Sequence, residues 1–176
     1  MSMFATDWRG KLQCDLVNGY QGRGLDAEVC DALARCRRIH LAIMREPWAT
    51  YIADGSKRVE SRWGKVRCAP HDDIDAGDVI AWKRTGGPVY GASCVTSGIT
   101  SYLRSDDEVA AKVCRLADQI RIANDPTPYL GKRLLTLIRL GPFAPLARPI
   151  EVKQPGRAGW LIVHDAGTDG STGATT

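Results

Sequence analysis

The sequence predicts an α+β fold in which about six short strands curl into a small β-barrel flanked by short helices. Three observations point there. Several short stretches alternate apolar and polar residues with the period of a strand. Most of these stretches follow one another across turn signals, so the strands are largely sequential neighbours. Only two or three segments carry helical spacing.

The elements follow in chain order. Gly19, Gly22 and Gly24 argue for a loop. Leu25 to Arg38 then places Val29, Leu33 and Cys36 at helical spacing, with Asp26 as N-cap. Ile39, Leu41 and Ile43 alternate with His40, Ala42 and Met44, which predicts a strand. Pro47 suits the first position of a helix and Gly55 the position just past its end, giving a short helix over Pro47 to Asp54. Arg58 to Trp63 alternates again. Val59, Ser61 and Trp63 share one face, and Arg58, Glu60 and Arg62 share the other. Gly77 and Asp78 turn into a strand over Val79 to Arg84, and Thr85-Gly86-Gly87-Pro88 connects it to a strand from Val89 to Val95, extendable to Thr100. Ser105 and Glu108 form a capping box ahead of Val109, Val113, Leu116, Ala117 and Ile120, and Asn124-Asp125-Pro126 stops that helix. Leu134 to Leu140, Pro149 to Lys153 and Trp160 to His164 complete the strands.

With 176 residues, 44% of them hydrophobic and 25% charged, the composition is that of a globular protein. The predicted organisation is an N-terminal, partly helical arm over residues 1–38, a domain over 39–165 and a disordered tail over 166–176, which is rich in Gly, Thr and Ser. Six cysteines are not preceded by a signal peptide, so reduced thiols and a cytoplasmic location are expected. No apolar run approaches the roughly 18 residues of a membrane span. The net charge of +4 leans mildly toward polyanionic partners.

The densest chemistry lies in Gly55-Ser56-Lys57-Arg58-Val59-Glu60-Ser61-Arg62. Lys57 follows a helix end, where a lysine either offsets the helix dipole or faces a ligand. Burial beside a cleft would depress its pKa and make it a base, whereas phosphate contact needs no such shift. Glu60 between Arg58 and Arg62 reads as a solvent-exposed ion pair, or as part of a cleft. In a cleft, Arg62 is the natural reader of a phosphate or base edge. Glu60 then holds Arg62 or accepts a proton from a nucleobase amine. Trp48 and Trp63 are either core or a base-stacking surface, while Trp82 and Trp160 are assigned to the core. Cations cluster at Arg58, Arg62, Lys65 and Arg67, with Lys83 and Arg84 on the hairpin and a second group at Lys132, Arg133 and Arg139. Their interleaving with Trp63 and Trp82 suits nucleic acid. Cys68 and His71 have a Cys-x2-His spacing with no second pair at a zinc-like interval, so no metal and no cofactor is expected.

Gly55, Lys57, Glu60 and Arg62 form a Gly-x-Lys-x-x-Glu-x-Arg pattern that resembles the signature of the ASCH domain, a branch of the PUA-like superfamily. The preceding strand and helix (residues 40–55), Gly77 to Ile80, Val89 to Ala92 and the closing Gly156 to Val163 resemble the family's flanking segments. The resemblance spans residues 39–164. It implies a PUA-like β-barrel with a cleft beside the motif that binds RNA or a nucleotide-like ligand. It also implies enzymatic alternatives. One group of relatives deacetylates N4-acetylcytidine with the motif lysine and a threonine three residues later, a position held here by Glu60. Other members resemble metal-independent ribonucleases that rely on the motif lysine and a tyrosine six residues earlier, which corresponds to Tyr51. The expected site is therefore Lys57, Tyr51 and Glu60 as catalytic candidates, with Arg62, Arg58, Trp48, Trp63, Lys65 and Arg67 contacting nucleic acid. A basic face meeting an acidic protein partner is the remaining reading.

Overall fold

The computed structural model describes residues 7–21, 27–35, 37–153, 156 and 158–166. Within them, seven strands form one mixed sheet: β1 (Arg38–Met44), β2 (Val59–Gly64), β3 (Val79–Arg84), β4 (Val89–Tyr102), β5 (Leu134–Leu140), β6 (Ala144–Ile150) and β7 (Trp160–Asp165). The helices are α1 (Trp8–Tyr20), α2 (Ala27–Arg35), α3 (Trp48–Ala53) and α4 (Asp106–Ile120), with a 3₁₀ turn at Thr127–Tyr129.

The strand order is β2-β5-β4-β3-β1-β7, with β6 also on β4. Only β1 and β3 run parallel. Strand β4 organises the curl. Its first half pairs with β3 and β6, and its second half pairs with β5. A register shift between Val95 and Ser97 separates the halves. An extra residue at such a bulge bends a strand and sharpens its twist. The sheet therefore rolls into a half-barrel, with β2 and β7 facing each other across an unpaired gap.

Side chains alternate about this curl. Ala42, Met44, Ile80, Trp82, Ile138 and Trp160 pack inside it, with α3 closing one end through Ala49 and Ile52. The outer face carries Ile39, Leu41, Val79 and Ala81, which α1 and α2 cover with Leu12, Leu16, Tyr20, Val29 and Leu33. Tyr20 also donates its hydroxyl to Ala144 O at 2.7 Å. On the far side, Val109, Leu116 and Ile120 of α4 pack on Val59 and Leu135.

Several sequence expectations shift. Helix α1 has no counterpart among them, because its buried stripe is only Leu12, Leu16 and Tyr20, one residue per turn, and it contains Gly10 and Gly19. Gly19 therefore lies in a helix and not in a loop. Strand β1 alternates in sequence yet is buried on both faces, since the arm covers the outer one. Strand β2 begins at Val59, one residue later than expected. The strand expected at Pro149 to Lys153 is β6, and it lies earlier. Pro145 and Pro149 mask it, and an edge position tolerates both because a missing N–H there breaks no second ladder. Helix α4 stops at Ile120, where Arg121 takes the left-handed conformation and donates its N–H to Ala117 O. Asp26, Cys36, Arg157 and the tail beyond Ala166 lie outside the described residues. No helix among the described residues is long and apolar enough to cross a membrane.

Candidate functional site

Gly55, at φ +75°, turns the chain out of α3, a conformation that costs glycine nothing. Lys57 N then donates to Tyr51 O at 2.8 Å, and the lysine side chain dives inward to 3% exposure. Its Nζ donates to Ile120 O, the last carbonyl of α4, and lies 3.4 Å from Glu60 Oε2. The lysine thus does offset a helix C-terminus, but that of α4 and not of α3. Glu60 is 4% exposed, and its other oxygen stands 2.8 Å from Arg62 Nε. The Nε–H is not aimed at that oxygen, so the contact is ionic. Arg62 Nη1 donates to Gly159 O at 3.3 Å, Nη2 approaches Met44 Sδ at 3.1 Å, and the guanidinium lies 4.8 Å over the Trp160 ring. Arg62 therefore spans the gap between β2 and the entry to β7. Burial pushes the Lys57 ammonium below its ordinary pKa of 10.5, against the opposing pull of Glu60.

This row opens into a cleft of about 840 Å³. Its lining carries six cations, Arg45, Lys57, Arg62, Lys83, Lys132 and Lys153, against one acid, Glu60. Three aromatic rings, Trp48, Trp63 and Tyr129, supply apolar faces. Trp63 leans on Tyr129 with centroids 4.8 Å apart, and Lys132 Nζ lies 5.2 Å over the tyrosine. Burial, then neighbouring Lys65, lowers the Lys132 pKa. Lys83 is buried and donates to Gly87 O in its own hairpin. The Trp63 indole N–H is buried without a partner.

A second layer supports Arg62. Trp160 Nε1 donates to His40 Nδ1 at 3.1 Å, and His40 Nε2 lies 3.1 Å from Asp78 Oδ2. An indole N–H can only donate, so Nδ1 holds a lone pair and Nε2 carries the proton toward Asp78. His40 and Asp78 are both essentially inaccessible. Asp78 Oδ2 also accepts from Asp75 N at 2.9 Å. The ring under Arg62 is thereby anchored through a neutral imidazole to a buried carboxylate. A separate interior chain joins His71 Nδ1 to Thr136 Oγ1 at 2.7 Å and Thr136 to Thr100 at 2.8 Å.

Of the sequence-predicted residues, Lys57, Glu60, Arg62, Trp48 and Trp63 line the cleft together. The others lie elsewhere. Arg58 precedes β2, so the strand alternation does not apply to it, and its exposed side chain turns back to Gly55 O at 3.3 Å. Lys65 and Arg67 are exposed beyond β2, and Arg67 pairs with Asp72 at 3.2 Å. Tyr51 lines a neighbouring groove beyond Trp48, with the Arg121 guanidinium 5.9 Å from its ring. Trp82 is core, but Trp160, 7% exposed, is both core and the platform for Arg62. Sequence reasoning missed Arg45, Tyr129 and Lys153, and it noted Lys83 and Lys132 only as members of basic clusters. Tyr129 follows Pro126 in a 3₁₀ turn with no period to flag it, and Lys153 reaches the cleft only through the tertiary path between β6 and β7.

No family model matches the sequence, and no curated protein matches it. Solved structures do. The crystal structure of ASCH from Zymomonas mobilis superposes with a TM-score of 0.54 at 18% identity, covering 76% of this chain and 92% of that one. Structures of its tyrosine-to-phenylalanine variant (TM-score 0.53, 17% identity, 76% and 95% covered) and its serine-to-alanine variant (0.52, 16%, 76% and 93%) agree. The present chain has the ASCH fold.

Proposed function

We propose that this ASCH-fold protein binds RNA or a nucleotide-like anion in the cleft beside Lys57, Glu60 and Arg62. One observation carries the reading: six cations and three aromatic faces converge on a single cleft that contains one carboxylate. Cations attract phosphate and rings stack bases, and the combination is what single-stranded nucleic acid requires. Within the cleft the roles divide. Arg62 is half-buried in the cleft lining, and each of its η nitrogens, one on Gly159 O and one on Met44 Sδ, keeps a second N–H for a phosphate, so it is the phosphate anchor. Glu60 has both oxygens engaged by Lys57 and Arg62, so it holds the arginine in place and does not read a base. Trp63 and Tyr129 form the stacking surface.

Binding of a fluorescent single-stranded RNA at low salt tests this. The logarithm of affinity should fall linearly with log salt, with a slope of about 0.7 per phosphate contact. Arg62→Ala should weaken binding roughly tenfold, as expected for a charge-assisted contact. Absence of binding at low salt removes the reading.

A hydrolytic reading rests on the lowered pKa of Lys57. It requires RNA cleavage in EDTA that is lost in Lys57→Ala and Tyr51→Phe, or turnover of N4-acetylcytidine. The ammonium is already engaged by Ile120 O and Glu60, and Tyr51 lies in the next groove, so binding is the better-supported function.

A further inference from the structure

Two further grooves continue the cleft around the turn formed by residues 55–58. The first shares Trp48 and Ile122 with the cleft and is walled by Tyr51, Ser56, Asp118 and Arg121. The second shares Ser56, Asp118 and Arg121 with the first and ends on Arg58 and Arg139. Each surface borrows walls from the one before it, so the three are consecutive. The turn between them is fastened to the end of α4 from both sides. Lys57 Nζ donates to Ile120 O from within, and Arg121 Nε donates to Ser56 O at 3.1 Å from without.

Beyond Trp48 this path carries three exposed arginines, from the turn, the end of α4 and β5, with Asp118 as the one acid lining it. Asp54, in the same turn, accepts from Ser56 N at 2.8 Å and lies within Coulombic reach of Arg121 without forming an ion pair with it. Among the described residues, Arg58, Arg121 and Arg139 make no ion pair with a carboxylate. Arg58 spends only Nε, on Gly55 O, and Arg121 only Nε, on Ser56 O. The terminal nitrogens stay available. Arg58 and Arg139 line the same groove, Arg58 from the turn before β2 and Arg139 from β5. Guanidinium forks match phosphate geometry, and the Tyr51 ring offers a stacking face midway.

We propose that this path takes the sugar-phosphate backbone of a single strand, so that the ligand is a single-stranded oligonucleotide and not a free nucleotide. The inference rests on the cleft reading for its starting point. The test compares a mononucleotide with a single strand of about ten nucleotides. The proteins are wild type, Arg58→Gln/Arg139→Gln, and the triple variant that adds Arg121→Gln. The double variant keeps the Arg121–Ser56 fastening, and thermal melts confirm folding. The expected result is unchanged mononucleotide affinity, with the long strand's salt slope reduced by about 1.4 in the double and about 2 in the triple variant. Long-strand slopes equal to wild type in both variants overturn the proposal and leave the cleft reading intact. Slopes that fall in these variants, while Arg62→Ala alters neither ligand, sustain the path and defeat the cleft reading.

Discussion

At the residue scale, the site turns on how Lys57 and Arg62 are held. Lys57 titrates below 10.5 because its ammonium is buried. Between that lowered pKa and 10.5 the unfolded chain binds more protons than the folded one, so stability rises with pH across the window. Below the window the buried charge costs stability. Affinity for an anion should change in the opposite sense and weaken as pH climbs through the lowered pKa. Binding titrations on the alkaline side, repeated with Lys57→Met, should show this inflection only in wild type. Arg62 depends on Trp160, and Trp160 on His40. His40→Phe should weaken binding several-fold in wild type but not in an Arg62→Ala background, and His40→Gln, which restores an acceptor and a donor, should recover it. Equal losses in both backgrounds would mean that His40 acts only on stability. Lys57, Glu60 and Arg62 were legible because their chemistry sits within one short stretch of chain. The His40–Asp78 anchor was not, because strand pairing assembles it from positions 38 residues apart.

At the element scale, β4 sets the geometry, since its bulge divides one long strand between two pairings. The sequence predicts a strand from Val89 to Val95, extendable to Thr100, but not that a single strand serves both pairings. Strands β3 and β5 were legible to the residue because clear alternation or a dense apolar run lies between turn signals. Strand β6 was displaced by its prolines and α1 was hidden by its narrow stripe. Packed against β5, His71 is held in the interior by Thr136. Burial lowers its pKa below 6.5, with Arg62 adding to the effect and Asp72 opposing it. The unfolded chain therefore takes up a proton first as pH falls through 6.5, and stability is lost across that range. Denaturation midpoints measured from pH 7.5 to 5 should decline. His71→Gln should flatten the decline, and an unchanged slope would exclude His71 as its source.

At the scale of the whole molecule, the described helices of the arm predicted over residues 1–38 neither cross the cleft nor stand apart from the sheet. They cover the outer face of the sheet opposite the half-barrel interior. Leu16, fully buried in α1, reports on this. Leu16→Ala should cost about 2–5 kcal/mol of stability, in the range for a buried leucine, while leaving ligand affinity unchanged. A loss near zero would place the arm outside the cooperative unit. Strand periodicity made the curled sheet legible, but the direction in which the arm packs depends on which face the curl leaves uncovered. In the proposed function the open side of the half-barrel is an anion site centred on Arg62. The most direct measurement is the salt dependence of single-stranded RNA binding by wild type and Arg62→Ala side by side. The cleft geometry predicts affinity that falls steeply with salt, with the variant bound more weakly and its slope smaller by about 0.7. Identical affinities and slopes for the two proteins, or no binding by either at low salt, would contradict it.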